Sequence, residues 1–206
     1  MTMRGLIHRI TLVIATNNPG KFKEIVALLH GLDVLLRPLD RIELPPENGE
    51  SFQENACIKA TAVARATGCL ALADDSGLEV DALGGEPGVL SARCGGPTAT
   101  DADRNRLILE RLRAVPKERR TARFRCVIAI ADPQGQVRVF EGICEGRITQ
   151  APRGSSGFGY DPIFEIPALG KTVAEVAPEV KNRLSHRAKA MARARTILED
   201  MLAKDV

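Results

Sequence analysis

The stretch Ala71-Leu72-Ala73-Asp74-Asp75-Ser76-Gly77 limits the fold more than any other segment, because an apolar, strand-like run ends on two adjacent carboxylates. A buried element must here deliver negative charge to an edge. Carboxylates side by side repel, so their surroundings have to supply a cation, a shared proton or several hydrogen bonds. Oxygen-only donors suit Mg2+, which takes one or two protein carboxylates and is completed by water and phosphate. Turn chemistry offers another outcome, an Asx turn that leaves Asp74 and Asp75 in water. Either way the pattern predicts that the strand breaks at Gly77 and that a second strand occupies residues 78–83.

The segments before it alternate strand and helix. Residues 10–15 read as a buried strand, and residues 21–30 as an amphipathic helix with Phe22, Ile25, Val26 and Leu29 on one face. Between them, Asn18 is a good N-cap and Pro19 suits the first helical position, which aims free backbone N–H groups back over the strand end. Residues 32–50 read as a strand and a Pro-rich loop, and residues 51–66 as a helix opened by a Ser51/Glu54 capping box. Beyond the acidic segment come a helix capped by Thr100, a β-hairpin turning at residues 132–135, and a Gly/Ser-rich irregular stretch at 154–162. A short helix capped by Thr172/Glu175 and a C-terminal helix capped by Ser185 complete the chain. The pattern predicts an α/β fold on a mixed sheet with flanking helices, one domain over residues 1–206 with two lobes.

Composition narrows the function. The 206 residues are 44% hydrophobic, enough for a sizeable core. A net charge of +3 without a long basic run does not indicate a duplex-DNA binder. Five widely spaced cysteines form no Cys-x-x-Cys pair, as expected of free thiols in a reducing compartment. Arg4, His8 and Arg9 interrupt the apolar N-terminus, which is neither a signal-peptide core nor a membrane span. The expectation is a cytoplasmic protein with no nucleic-acid or membrane partner.

Three further segments carry chemistry. Thr16-Asn17-Asn18-Pro19-Gly20-Lys21 is a strand–loop–helix junction with a lysine in the first turn, where a phosphate can meet backbone donors, the helix dipole and an ammonium. It is not a Walker A loop, because the Gly-x4-Gly-Lys-Ser/Thr spacing is absent. Phe158, Gly159, Tyr160 and Asp161 place two aromatics among glycines in a chain that is only 3% aromatic, so a flat ligand can approach the backbone and stack on a ring. A plain turn whose rings cover the core is the competing reading. Lys181 and the pair His186-Arg187 lie around the start of the last helix, where the dipole disfavours cations and local helix design does not account for them.

In order along the chain, Thr16 to Lys21, Glu54-Asn55-Ala56 with Lys59-Ala60, Ala73 to Leu78, Gly84 to Gly88 with Ser91-Ala92-Arg93, Gly157 to Pro162 and Ser185 to Arg187 resemble the inosine triphosphate pyrophosphatase (Ham1-like) family over almost the whole chain. The resemblance implies hydrolysis of dITP, ITP and XTP to the monophosphate and pyrophosphate with Mg2+, by a homodimer whose elongated, two-lobed α/β fold holds the site in a central cleft. It makes Asp75 the proton acceptor and a metal ligand, and Ser76 a substrate contact. Thr16, Asn17, Asn18, Pro19, Gly20 and Lys21 become the triphosphate loop. Phe158, Gly159, Tyr160, Asp161, Lys181, His186 and Arg187 become nucleotide contacts. For a purine of this kind the expected discrimination lies at the 6-oxo group, which accepts from Arg187 or neighbouring donors. The family's additional metal-binding glutamate falls in the loop that holds Glu47, and Asp74 is the other candidate for that place. A pyrophosphatase for other modified nucleotides and a non-catalytic purine nucleotide-binding protein remain alternatives.

Overall fold

The computed structural model describes residues 10–204, so Arg4, His8 and Arg9 lie outside the described residues. The elements are β1 (Thr11–Ile14), α1 (Pro19–Leu28), β2 (Leu35–Pro38), α2 (Phe52–Thr67), β3 (Leu70–Val80), α3 (Asp101–Arg111), β4 (Thr121–Ala131), β5 (Val137–Ile148), β6 (Phe164–Ile166), β7 (Lys171–Thr172), α4 (Pro178–Leu184) and α5 (His186–Lys204). They build a seven-stranded sheet of order β2-β1-β3-β4-β5-β6-β7. β1 runs parallel to β2 and β3, and every later pairing is antiparallel. The expected mixed sheet with flanking helices is therefore present.

Side-chain alternation along the central strands sorts the core by face. Leu12, Ile14, Leu72, Cys126 and Ile128 pack with Ile25 and Leu29 of the α1 segment and with Ala190, Met191, Ala194 and Leu198 of α5. On the opposite face, Val13, Ala15, Ala71, Ala73, Val127 and Ala129 pack with Phe52, Ala56, Ala60 and Val63 of α2. A third cluster joins Ile108 and Leu112 of the α3 segment to Phe124, Tyr160, Ile163 and Phe164. Because α1 and α2 pack on opposite faces, the carboxyl end of β1 is a topological switch point, the place where open α/β sheets bind ligands.

The acidic segment departs from its expected form. β3 does not break at Gly77, and it runs unbroken through Asp74 and Asp75, in antiparallel register with β4 up to Val80. Gly77 serves close packing rather than a turn: a Cβ there would lie 2.4 Å from Ser91 Oγ and 2.5 Å from the Gly88 carbonyl oxygen. The separate strand expected at 78–83 is thus the end of β3 followed by a 3-10 turn at Asp81–Leu83. Near the C-terminus, Thr172 and Glu175 do form a capping box, on a 3-10 turn, and Lys181 belongs to α4 rather than to the last helix. Ser51 caps α2 as expected, whereas the Glu54 carboxylate takes the Glu50 N–H instead of closing the box.

Candidate active site

The triphosphate loop assembles as its cap chemistry dictates. Asn18 Oδ1 accepts the Lys21 N–H at 3.0 Å and the Thr16 hydroxyl accepts the Asn18 N–H at 3.1 Å, while Pro19 occupies the first turn. Thr16 thus supports the loop, Asn17 is exposed and outside the cavity lining, and Asn18, Pro19, Gly20 and Lys21 face a cavity of about 450 Å3. Ser76, Phe158, Gly159, Tyr160, Asp161, Lys181, His186 and Arg187 line the same cavity. Segments more than 160 residues apart in sequence therefore converge, from Asn18 to Arg187.

Asp74 and Asp75 do not share a site. Successive residues of a strand point to opposite faces, so Asp74 turns toward α1 and α5 and Asp75 toward α2. Asp74 is fully buried; its Oδ2 takes Arg187 Nη2 at 2.7 Å, Arg187 Nε at 3.2 Å and the Lys21 ammonium at 3.2 Å. Burial alone raises a carboxyl pKa, but Lys21, Arg187 and Lys59 outweigh it and hold Asp74 well below the carboxylate range. Its Oδ1 is buried without a partner. With its charge met by two cations, Asp74 is poorly placed to be the second metal ligand.

The other face holds a leaner arrangement. Asp75 Oδ2 accepts from Asn55 Nδ2 at 3.1 Å and Oδ1 from the Ser76 N–H at 3.0 Å, with Lys59 Nζ 4.0 Å away. Lys59 Nζ is committed elsewhere, to the Glu47 carboxylate and, at 2.7 Å, to the Asp74 carbonyl oxygen. Arg93 fixes the Glu47 loop by donating to the Glu47 carbonyl oxygen at 2.8 Å. Burial pushes the Asp75 pKa up, the Glu47 charge adds to it, and Lys59 and Lys21 only partly offset them. Glu47, also raised by burial, is pulled below its ordinary value by Lys59, Lys21 and Arg93. Among the described residues no cluster of three or more His, Cys, Asp or Glu side chains could hold a metal. Asp75 and Glu47 instead fit a hard divalent cation that keeps water and draws its remaining ligands from substrate phosphates.

The cavity face is an ion-pair chain. Arg187 is 1% exposed and donates to Asp74, to Glu24 Oε2 at 2.5 Å and to Ser76 Oγ at 2.9 Å. Lys181 Nζ reaches Asp161 Oδ2 at 2.5 Å and Glu24 Oε1 at 2.7 Å, and lies 4.6 Å from the Phe158 ring centroid. Paired in this way, Arg187 puts no uncompensated cation at the start of α5. His186 puts no cation there either: burial, reinforced by Arg187 and Lys181, lowers its pKa well below the usual value, so the imidazole is neutral and stacks on Phe124 at 4.8 Å. The conflict with the helix dipole read from the sequence is thereby resolved. The pairing also leaves Arg187 with little free hydrogen-bonding capacity for a base. Of the five N–H groups of a guanidinium, one on Nη1 is left after Asp74, Glu24 and Ser76 are served.

Among the residues of the site with no role assigned from the sequence are Asn55, Lys59, Glu24 and Asp101. Asn55 and Lys59 lie one turn apart on the buried face of α2, and a lysine among Ala56, Ala60 and Val63 is the signal that marks them. Glu24 lies three residues after Lys21 on α1, so the two share a face.

Comparison with known proteins identifies the family. Residues 12–197 match the model of the Ham1 family. A dITP/XTP pyrophosphatase of Thermus thermophilus is 51% identical over 196 residues, covering 94% of this chain and 93% of that protein. One from Bacillus subtilis is 46% identical over 190 residues, covering 91% and 96%. The structure of a HAM1 protein from Coxiella burnetii superposes with a TM-score of 0.83 at 42% identity, covering 93% of this chain and 99% of that one. By family model, sequence and fold, the chain belongs to the Ham1 family.

Proposed function

We propose that this protein is a nucleoside triphosphate pyrophosphatase that cleaves dITP, ITP and XTP to the monophosphate and pyrophosphate, with Mg2+ held by Asp75 and Glu47. One observation carries the reading: Phe158 and the Lys21 helix start line one cavity, and on the other face of β3 the buried Asp75 is left harder to ionise, with the half-buried Glu47 held by the lysine that stands 4.0 Å from Asp75. About half-identity to dITP/XTP pyrophosphatases supports it.

Phe158 stacks on the base, and the Lys21 ammonium with the first turn of α1 binds the β- and γ-phosphates. Mg2+, when bound, supplies positive charge against the phosphates. Asp75 takes the proton of a water whose oxygen attacks the α-phosphorus, and the bond to the bridging oxygen breaks so that pyrophosphate leaves. Lys59 holds Glu47 and the Asp74 carbonyl, fixing both sides of Asp75. A purine 6-oxo group accepts the remaining Arg187 N–H, whereas the 6-amino group of adenine sets donor against donor, at a cost of about 1–3 kcal/mol. The same reading includes a homodimer, supported by exposed Leu90 and Val139 beside a groove lined by Pro87 and Val89. It includes a cytoplasmic setting as well, supported by five unpaired cysteines. Among the described residues no helix is long and apolar enough to cross a membrane.

The test is pyrophosphate release with Mg2+ from dITP, ITP, XTP, ATP, GTP and modified pyrimidine triphosphates. The expected result is kcat/KM at least about ten-fold higher for the deaminated purines than for ATP, the scale of one unpaired buried donor. Faster turnover of a modified pyrimidine, or tight dITP binding without pyrophosphate release, overturns the reading.

A further inference from the structure

Phe158 sits between two glycines in the left-handed region, Gly157 at φ 82° and Gly159 at φ 62°. Neither neighbour brings a side chain to restrain the loop, so the ring's position depends on what grips the backbone around it. Besides the Asp161 N–H that donates to the Phe158 carbonyl oxygen at 3.3 Å, three hydrogen bonds from side chains do so. Asp161 Oδ2 accepts the Phe158 N–H at 3.0 Å, Asp101 Oδ2 accepts the Gly159 N–H at 2.7 Å, and Asn105 Nδ2 donates to the Gly159 carbonyl oxygen at 3.1 Å. The last two come from α3, 58 and 54 residues away in sequence. They hold both polar groups that Gly159 possesses. Asp101 and Asn105 stand one turn apart on a single face of α3. The helix start is itself fixed by a Thr100/Asp103 capping box, and Arg104 Nη1 steadies the Asp101 carboxylate at 3.0 Å.

Asn105 is 5% exposed, and its Oδ1 is buried without a partner. An apolar residue of similar size would pack beside Ile108 and the core it shares with Tyr160 and Ile163 without stranding an acceptor. The amide is accounted for by its donor, which points at the loop. Resting on the reading of Phe158 as the base-stacking ring, we infer that α3 sets the orientation of that ring, with Asp101 and Asn105 as positioning residues for the base end of the site. Gly159 contributes geometry rather than a ligand contact, since both its N–H and its carbonyl are already engaged.

The experiment measures steady-state kinetics on dITP and the inhibition constant of inorganic tripolyphosphate, which has no base. The variants are Asp101→Ala, Asp101→Asn, Asn105→Asp and, as reference, Phe158→Ala. Asn105→Asp is isosteric but replaces the donor by an acceptor, and Asp101→Asn keeps an acceptor for the Gly159 N–H. Asp101→Ala and Asn105→Asp are expected to raise KM for dITP by roughly ten-fold with kcat changed less than about two-fold, and to leave tripolyphosphate inhibition as in the unaltered protein. Asp101→Asn should restore most of the KM. The inference is overturned if KM stays put in Asn105→Asp while Phe158→Ala raises it, if tripolyphosphate inhibition weakens in parallel, or if Asp101→Asn is as impaired as Asp101→Ala. An unaltered protein that releases no pyrophosphate, or a Phe158→Ala protein with unchanged KM, instead strikes the functional reading on which the inference rests.

Discussion

Asp74 and Asp75 are neighbours in the chain and both are buried, yet the two faces of β3 treat them in opposite ways. On the Asp74 face, Lys21 and Arg187 meet the carboxylate directly and hold it ionised, and Glu24, Lys181 and Asp161 continue the alternation of charge up to the Phe158 loop. On the Asp75 face a single lysine is shared between Glu47 and the strand backbone, and burial leaves Asp75 harder to ionise than an ordinary carboxylate. The first arrangement meets its carboxylate with two cations in direct contact; the second leaves Asp75 with its nearest ammonium 4.0 Å away. In the proposed function one face shapes the binding cavity and the other performs the chemistry, with a single strand separating them.

The largest expected effect on rate tests the reacting face. Asp75→Asn removes the proposed proton acceptor and metal ligand, and kcat for dITP should fall by about 10²–10³-fold, the scale of a lost catalytic base or electrostatic partner. A folded Asp75→Asn protein with near-normal turnover would erase the contrast between the faces. The cavity face should respond in a different parameter. Phe158→Ala is expected to raise KM for dITP by the equivalent of about 1–3 kcal/mol, the range of base–aromatic stacking, and to spare kcat. Loss of kcat in place of KM would mean that the two faces do not divide binding from chemistry.

Much of the cavity face was legible in the sequence because its parts announce themselves locally. Asn18-Pro19 is cap chemistry, Gly157-Phe158-Gly159 is an aromatic in a freed backbone, and Arg187 broke the rule for a helix start. The division between the faces was not legible. Gly77 read as a turn, since glycine is more often a breaker than a packing residue, and the contacts that explain it come from Ser91 and Gly88. With the strand taken to end there, Asp74 and Asp75 looked like one charged cluster. The partners that separate them are tertiary: Arg187 reaches Asp74 across 113 residues and Glu24 across 163, and Lys59 becomes a site residue only once α2 packs on β3. Periodicity predicts that α2 has a buried face, but not that this face meets a carboxylate.

Unfolding free energies of Asp74→Asn and Asp75→Asn, measured side by side by denaturant titration at neutral pH without metal, test the contrast most directly. Asp74→Asn takes the counter-ion from Lys21 and leaves Arg187 with Glu24 alone, and should cost about 3–5 kcal/mol, the range for breaking a buried ion pair. Asp75→Asn removes a charge that burial disfavours and loses one hydrogen-bond acceptor, so its stability should stay within about 1 kcal/mol of the unaltered protein. The sign with pH follows from the direction of each shift. The contribution of Asp74, whose folded pKa is lowered, is present above the unfolded carboxylate value and lost as pH falls through the folded one. The contribution of Asp75, whose folded pKa is raised, is present in acid and lost as pH rises through that value. Equal destabilisation by the two substitutions at neutral pH would contradict the account.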